Sequence, residues 1–358
     1  MTQIATASRA QYPRPQAWPA RILVHEVNWL GDLVMTLPAL VAIRRAFPAA
    51  RLSVLIDQRL AAFFEGTGWI DEVIALRRGK RFAPIELVRA AGLLRARRFD
   101  LAVILPNSFV SALRIALAGI PVRAGFACDG RGWMLTRRAV PGVELMKRHQ
   151  VHYWPEMLKA TLEVESDLDQ IAPEIAPHYL VRMREWLAMR RNGSPKLVAI
   201  APAAAYGPAK EWPQSKFVEV VSVLSERGVQ PVLVGGPGDA ARCEEIAGSA
   251  PRGAIMAAGR TNIGELMALL SLCDGFVGND SGAAHLASAL GVPTVAVFGS
   301  TNPSRTGPRG PRTTILYKGI ECSPCLARTC RFGHYRCLLE ITPGEALAAL
   351  EDLGVIGN

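Results

Sequence analysis

Short apolar runs recur along this chain, each followed by a stretch rich in Ala, Leu and charged residues. That alternation predicts parallel strands covered by helices. One series comprises residues 21–27, 51–56, 72–76 and 101–105, and a second comprises 197–200, 229–234, 254–256, 275–277 and 294–298. Between the two series, residues 151–191 are rich in charge and helix formers and contain no strand-like run. The predicted fold class is therefore α/β, with a first half over 21–175, a helical connector over 176–195 and a second half over 196–341. A final helix lies within 342–358 and is expected to pack back across the hinge. Residues 1–20 carry three Pro, two Arg and no sustained apolar run, which reads as a flexible leader rather than an export signal.

Composition supports two cores, since 50% of 358 residues are hydrophobic. No run approaches the roughly 18 apolar residues of a membrane helix, so a cytoplasmic protein is expected. The 41 basic and 31 acidic side chains give a formal charge of +10, with clusters at 77–81, 95–98, 131–138 and 147–149 in the N-terminal half. Such clusters suit an anionic partner, such as acidic lipid headgroups or a phosphorylated glycan, or simply form a solvated face. No zinc-finger spacing, aromatic ribonucleoprotein motif or helix-turn-helix is visible, so no nucleic-acid partner is expected.

Chemistry concentrates where strands run into helices. The stretch Val277-Gly278-Asn279-Asp280-Ser281-Gly282-Ala283-Ala284-His285 places a carboxylate, a hydroxyl and helix-start amides in one small volume, a good phosphate site. It also reads as an ordinary crossover with Ser281 as N-cap and His285 on the helix surface. After the first strand, Asn28-Trp29-Leu30-Gly31-Asp32 leads towards Thr36. Gly31 permits close approach of a ligand, and Asp32 in the first helical turn can take a proton from an acceptor hydroxyl or merely cap the helix. In the second half a Gly- and Pro-containing loop ends in Lys210 beside Trp212, and its ammonium either offsets charge on a leaving phosphate or is solvated. Gly235-Gly236-Pro237-Gly238-Asp239 offers backbone amides and one carboxylate to a ribose or phosphate. Neither a Walker pattern nor GxGxxG spacing is present, which argues against a P-loop NTPase or an NAD-dependent dehydrogenase.

Of seven cysteines, Cys128, Cys243 and Cys273 are scattered and read as buried small hydrophobes. Cys322, Cys325, Cys330 and Cys337 cluster in a loop over 322–337, with His334 as a spare ligand. Closely spaced thiols in a reducing compartment predict either a structural zinc or iron site or four free thiols.

Taken together, Gly31-Asp32 with Thr36-Leu37-Pro38-Ala39-Leu40, Tyr206-Gly207-Pro208-Ala209-Lys210 with Trp212-Pro213, and Asn279-Asp280-Ser281-Gly282 with His285 and Gly291-Val292-Pro293 resemble the ADP-heptose:lipopolysaccharide heptosyltransferases of glycosyltransferase family 9. The likeness is greatest to the heptosyltransferase II branch, some members of which carry a similar Cys-rich segment. The resemblance implies a GT-B architecture, two Rossmann-like domains whose parallel sheets face each other across a cleft, with acceptor bound by the first and nucleotide-sugar by the second. It implies inverting transfer of heptose from ADP-heptose, with no catalytic cofactor, to a phosphorylated, Kdo-bearing inner core on lipid A. The enzyme would work peripherally at an anionic cytoplasmic membrane face. Carried over by position, Asp32 matches the family's general base and Lys210 its phosphate-binding lysine. Asp280, Ser281, Gly282 and His285 match its donor motif. Asp239 is expected on the donor side, and Asn28, Trp29, Gly31 and Thr36 on the acceptor side. The chain departs from the pattern at Ala203, where Gly is usual, and at Glu211, where Arg is usual; both bear on the identity of the sugar. The alternatives are a family member with another acceptor or nucleotide-sugar, and a catalytically silent sugar-nucleotide binding protein.

Overall fold

The computed structural model describes residues 19–77, 84–167 and 172–357. Most of the leader and most of the first basic cluster lie outside these residues. The chain divides into two compact units, Met1–Ile171 and Ala172–Asn358.

The first unit is built on six strands: β1 (Arg21–His25), β2 (Arg51–Asp57), β3 (Glu72–Leu76), β4 (Leu101–Ile104), β5 (Val122–Phe126) and β6 (Arg137–Ala139). They lie in the order β3-β2-β1-β4-β5-β6, and every pairing is parallel. The second unit repeats the plan with β7 (Lys196–Ala201), β8 (Val229–Leu233), β9 (Ile255–Met256), β10 (Gly275–Asn279), β11 (Thr294–Val297) and β12 (Thr313–Leu316). Their order is β12-β11-β10-β7-β8-β9, again wholly parallel. Read from each unit's first strand, both sheets follow the 3-2-1-4-5-6 order of a doubly wound dinucleotide-binding fold. Helices cover both faces, so the central strands β1, β4, β7 and β10 are almost continuously buried and aliphatic.

The order matters for function because the chain reverses direction across the sheet between β1 and β4, and again between β7 and β10. Ligands of such sheets sit beyond the carboxyl ends of strands at that switch point. At the second of these, Gly278 lets β10 approach β7 closely: a Cβ there would stand 2.9 Å from the Ala201 Cβ.

Three strands escape the apolar pattern. β5 and β6 read Val-Arg-Ala-Gly-Phe and Arg-Arg-Ala, and β12 is a half-buried edge strand beginning Thr-Thr. The Arg123 guanidinium nevertheless finds partners, the carbonyls of Ile120 and Met134, so the charge does not interrupt the strand.

The predicted connector contains the helix Pro177–Ala188, which packs on the helix Ile263–Ser271 of the second unit. Gly264 leaves room for the Tyr179 ring, and Arg182 pairs with Glu265 at 2.8 Å. The final helix, Pro343–Asp352, starts at a capping box between Thr342 and Glu345 and packs on the helix Gln214–Glu226 and on β11 and β12 of its own unit. Among the described residues no helix is long and apolar enough to cross a membrane.

Candidate active site

In the second unit the loop after β7 and the turn after β10 meet at the switch point. Asn279, the last residue of β10, ties them together: its Oδ1 accepts from the Trp212 amide at 2.9 Å, and its Nδ2 donates to the Pro202 carbonyl at 2.9 Å. Trp212 is buried and anchors the loop from below by donating Nε1–H to the Ile341 carbonyl at 3.0 Å. Lys210, at the end of that loop, pairs with Asp280 at 2.6 Å, with side-chain exposures of 13% and 4%. Thr301 also donates to Asp280. The ammonium lies 4.9 Å from the centre of the Tyr206 ring. An ammonium has three donors, and with one on Asp280 it can offer others to an anion while the carboxylate fixes its position.

Ser281 is the N-cap residue of the helix Gly282–Ala289, yet its side chain makes no bond to the first-turn amides. Its Oγ is buried without a hydrogen-bond partner. The crossover reading with Ser281 as the capping side chain is therefore not what the structure contains. Gly282 opens the helix, and His285 is buried one turn further on. Asp239 is engaged locally, since its Oδ2 accepts from the Gly236 amide at 2.8 Å and closes its own turn. Glu211 accepts from the Ala204 amide and pairs with Arg242 at 2.9 Å.

The Cys-rich segment is stitched to the same loop. The Ala209 amide donates to the Arg328 carbonyl at 3.0 Å, the Tyr206 hydroxyl to Leu326 at 2.7 Å, and the Leu326 amide to Ser300 at 2.7 Å. Gly207 has φ +145°, where a Cβ would press on the Arg328 carbonyl at 2.7 Å, so the close approach requires glycine. Cys322, Cys325, Cys330 and Cys337 line one cavity of about 280 Å³ together with Ala209 and Ser300. None of the four is in a disulfide. Burial works to raise the Cys330 thiol, but amides of Tyr335, Phe332, Gly333 and His334 outweigh it and hold the thiol below its ordinary range. Cys337 is raised by burial and by the neighbouring thiols. Among the described residues no three His, Cys, Asp or Glu side chains converge to hold an ion. Cys337 belongs to the apolar core, and the other three ride half-buried on the surrounding turns.

In the first unit Asp32 sits half-buried in the first turn of the helix Leu30–Ala46, and Asn28 and Trp29 are exposed beside it. Gln150 donates to Asp32 Oδ1 at 3.4 Å. Thr36 faces inward and is fully buried, donating to the Leu33 carbonyl at 2.7 Å and reaching Glu26 Oε2 at 3.3 Å. Both contacts tie it to the turn. Behind the turn lie groups that strand-level reading passed over. Glu26 is completely buried; its Oε2 accepts from the Val27 amide at 2.9 Å, and its Oε1 has no partner. Burial, reinforced by the charge of Asp32 and opposed by the Val27 and Thr36 hydrogen bonds, raises its pKa to about 8. Burial and the Arg114 charge push His25 down to about 3, and its Nε2 lies 2.7 Å from an Arg114 nitrogen. Arg131, counted in a basic cluster, is wholly buried and donates to the carbonyls of Phe126 and Pro106. It stabilises the loops after β4 and β5 and forms no part of a charged surface.

Residues 88–336 match glycosyltransferase family 9 (heptosyltransferase). The chain belongs to that family. It is 28% identical over 351 residues to lipopolysaccharide heptosyltransferase 2 of Escherichia coli K12, covering 93% of this chain and 98% of the relative. The solved structure of E. coli ADP-heptose lps heptosyltransferase II matches this family 9 glycosyltransferase with a TM-score of 0.80 at 24% identity, covering 93% and 98% of the two chains. The glycosyl transferase family 9 structure from Veillonella parvula matches with a TM-score of 0.83 at 23% identity, over 93% and 97%. The GT-B fold class read from the sequence agrees with these likenesses, and the chain is a glycosyltransferase.

Proposed function

We propose that this enzyme transfers heptose from ADP-heptose to a sugar hydroxyl of the lipopolysaccharide inner core with inversion at the anomeric carbon. The acceptor oxygen attacks that carbon, the bond to the departing ADP breaks, and the hydroxyl proton passes to Asp32. Charge gathering on the diphosphate is met by Lys210 and by the amides at Ser281 and Gly282. Asp280 then acts by holding the ammonium rather than by touching phosphate, which would repel it. The observation that carries the reading is the Lys210–Asp280 pair at 2.6 Å beside a helix start whose N-cap side chain leaves the amides unbonded.

Peripheral contact with an anionic membrane belongs to the same proposal. The segment 133–148 exposes Trp133 by 70% and Val143 by 72% beside the exposed side chains of Arg138, Lys147 and Arg148. That combination suits a headgroup boundary.

Mass spectrometry of a deacylated inner-core acceptor incubated with a panel of nucleotide-sugars tests the assignment. A mass gain of one heptose with ADP-heptose alone is expected, and faster transfer to acceptor embedded in anionic vesicles than in neutral ones. Gain from a different nucleotide-sugar would move the donor assignment, and equal vesicle rates would remove the membrane contact.

A further inference from the structure

Glu26 is a carboxyl group with no exposure, no basic partner among its hydrogen bonds, and one oxygen without any partner. An ionised carboxylate in such a place costs several kcal/mol, so the side chain is held as the neutral acid. The charged and titratable groups around it do not alter this. Asp32, on the helix it packs against, disfavours a second negative charge. His25 precedes it on β1, takes up its backbone carbonyl at 3.1 Å and is itself neutral. Arg114 places one terminal nitrogen 2.7 Å from His25 Nε2 and is not among the hydrogen-bond partners of Glu26, and Asp57 at the end of β2 pairs with Arg59. The Glu26 amide is fastened to the Leu55 carbonyl at 2.8 Å, and its carboxyl is fastened to the helix through Thr36. The turn 26–31, which delivers Asp32, is therefore closed over a buried acid.

We propose that Glu26 is a positioning residue whose proton keeps the turn closed under Asp32, and that loss of this proton opens the turn to water and withdraws the base. Thr36, matched to the acceptor side by resemblance, then acts by holding Glu26. The inference rests on the role proposed for Asp32 only where it concerns catalysis.

The test compares wild type with the near-isosteric Glu26→Gln, which cannot ionise. A folded-state pKa raised from 4.5 to about 8 means that the native protein holds one proton more than the unfolded chain across that window. Wild-type stability relative to the variant is then fully present below about 4.5 and is lost as pH rises towards about 8. The ratio of unfolding constants, wild type over Glu26→Gln, is expected to climb about tenfold per pH unit in that range and then level off. His25, which falls from 6.5 to about 3, slopes the other way at lower pH but cancels in the ratio. In heptose transfer, wild-type kcat/KM is expected to fall above pH of about 8, and the variant to lack that limb. A flat stability ratio overturns the neutral acid. A rising ratio with an unchanged alkaline limb overturns the link to Asp32, whereas the stability ratio itself does not depend on Asp32 being the base. Should the variant fail to fold, carbon NMR of labelled wild-type glutamates replaces it: one carboxyl titrating near pH 8 supports the proposal, and none doing so overturns it.

Discussion

Replacing Asp32 with Asn is expected to lower kcat/KM for heptose transfer about a thousandfold, within the roughly 10²–10⁴ range of a positioned general base, while ADP affinity stays unchanged. That loss corresponds to about 4 kcal/mol of transition-state stabilisation. The amide preserves size and shape and keeps an oxygen to accept from Gln150, which donates to Oδ1 at 3.4 Å. What disappears is the lone proton acceptor at the start of the helix Leu30–Ala46. Because Asp32 and the residues proposed to hold ADP belong to different units, the two measurements separate cleanly. Steady-state kinetics beside an ADP titration by calorimetry provides the check. Wild-type turnover in the variant would remove the base assignment, and a parallel loss of ADP binding would point to misfolding.

Lys210→Ala should have the second large effect, and it should be a double one. Removing the ammonium strands Asp280, 4% exposed, with the Thr301 hydroxyl still donating to it. Breaking a buried pair from one side typically costs about 3–5 kcal/mol of stability. Losing charge-assisted hydrogen bonds to the diphosphate, worth about 1.5–3 kcal/mol, should weaken ADP binding by about 10- to 100-fold and slow the chemical step as well. The double variant Lys210→Ala, Asp280→Asn disentangles the effects, since neutralising the stranded carboxylate should recover much of the stability and none of the ADP affinity. Denaturant unfolding and calorimetry on the three variants read this out. Unchanged ADP affinity in Lys210→Ala would reject its role in donor binding.

Much of the architecture was legible because buried parallel strands are written as unbroken aliphatic runs. Leu101 to Ile104 and Thr294 to Val297 can hardly be anything else. β5, β6 and β12 were not legible, because Arg and Gly interrupt the first two and β12 is a half-buried edge. The site was legible in its parts but not in its joins. Asp32, Lys210 and Asp280 each follow a strand, yet nothing in their spacing announces that Lys210 and Asp280 touch. That contact follows from β7 and β10 being neighbours at the switch point, which is a property of strand order. Glu26 looked like the tail of a strand, and only its burial without a basic partner marks it out. The cysteine cluster was legible as a cluster, since all four thiols line one cavity, but not in its anchoring, since only the fold places Cys337 in the apolar core.

The central claim is a division of labour in which the second unit holds the diphosphate and the first supplies the base. A crystal structure with a non-transferable ADP-heptose analogue tests it most directly. The account predicts the diphosphate within hydrogen-bonding distance of Lys210 Nζ and the Ser281 and Gly282 amides, with no phosphate contact to the turn 26–31. A diphosphate seated on Asn28 to Gly31, or one that leaves Lys210 bound to Asp280 alone, would contradict it.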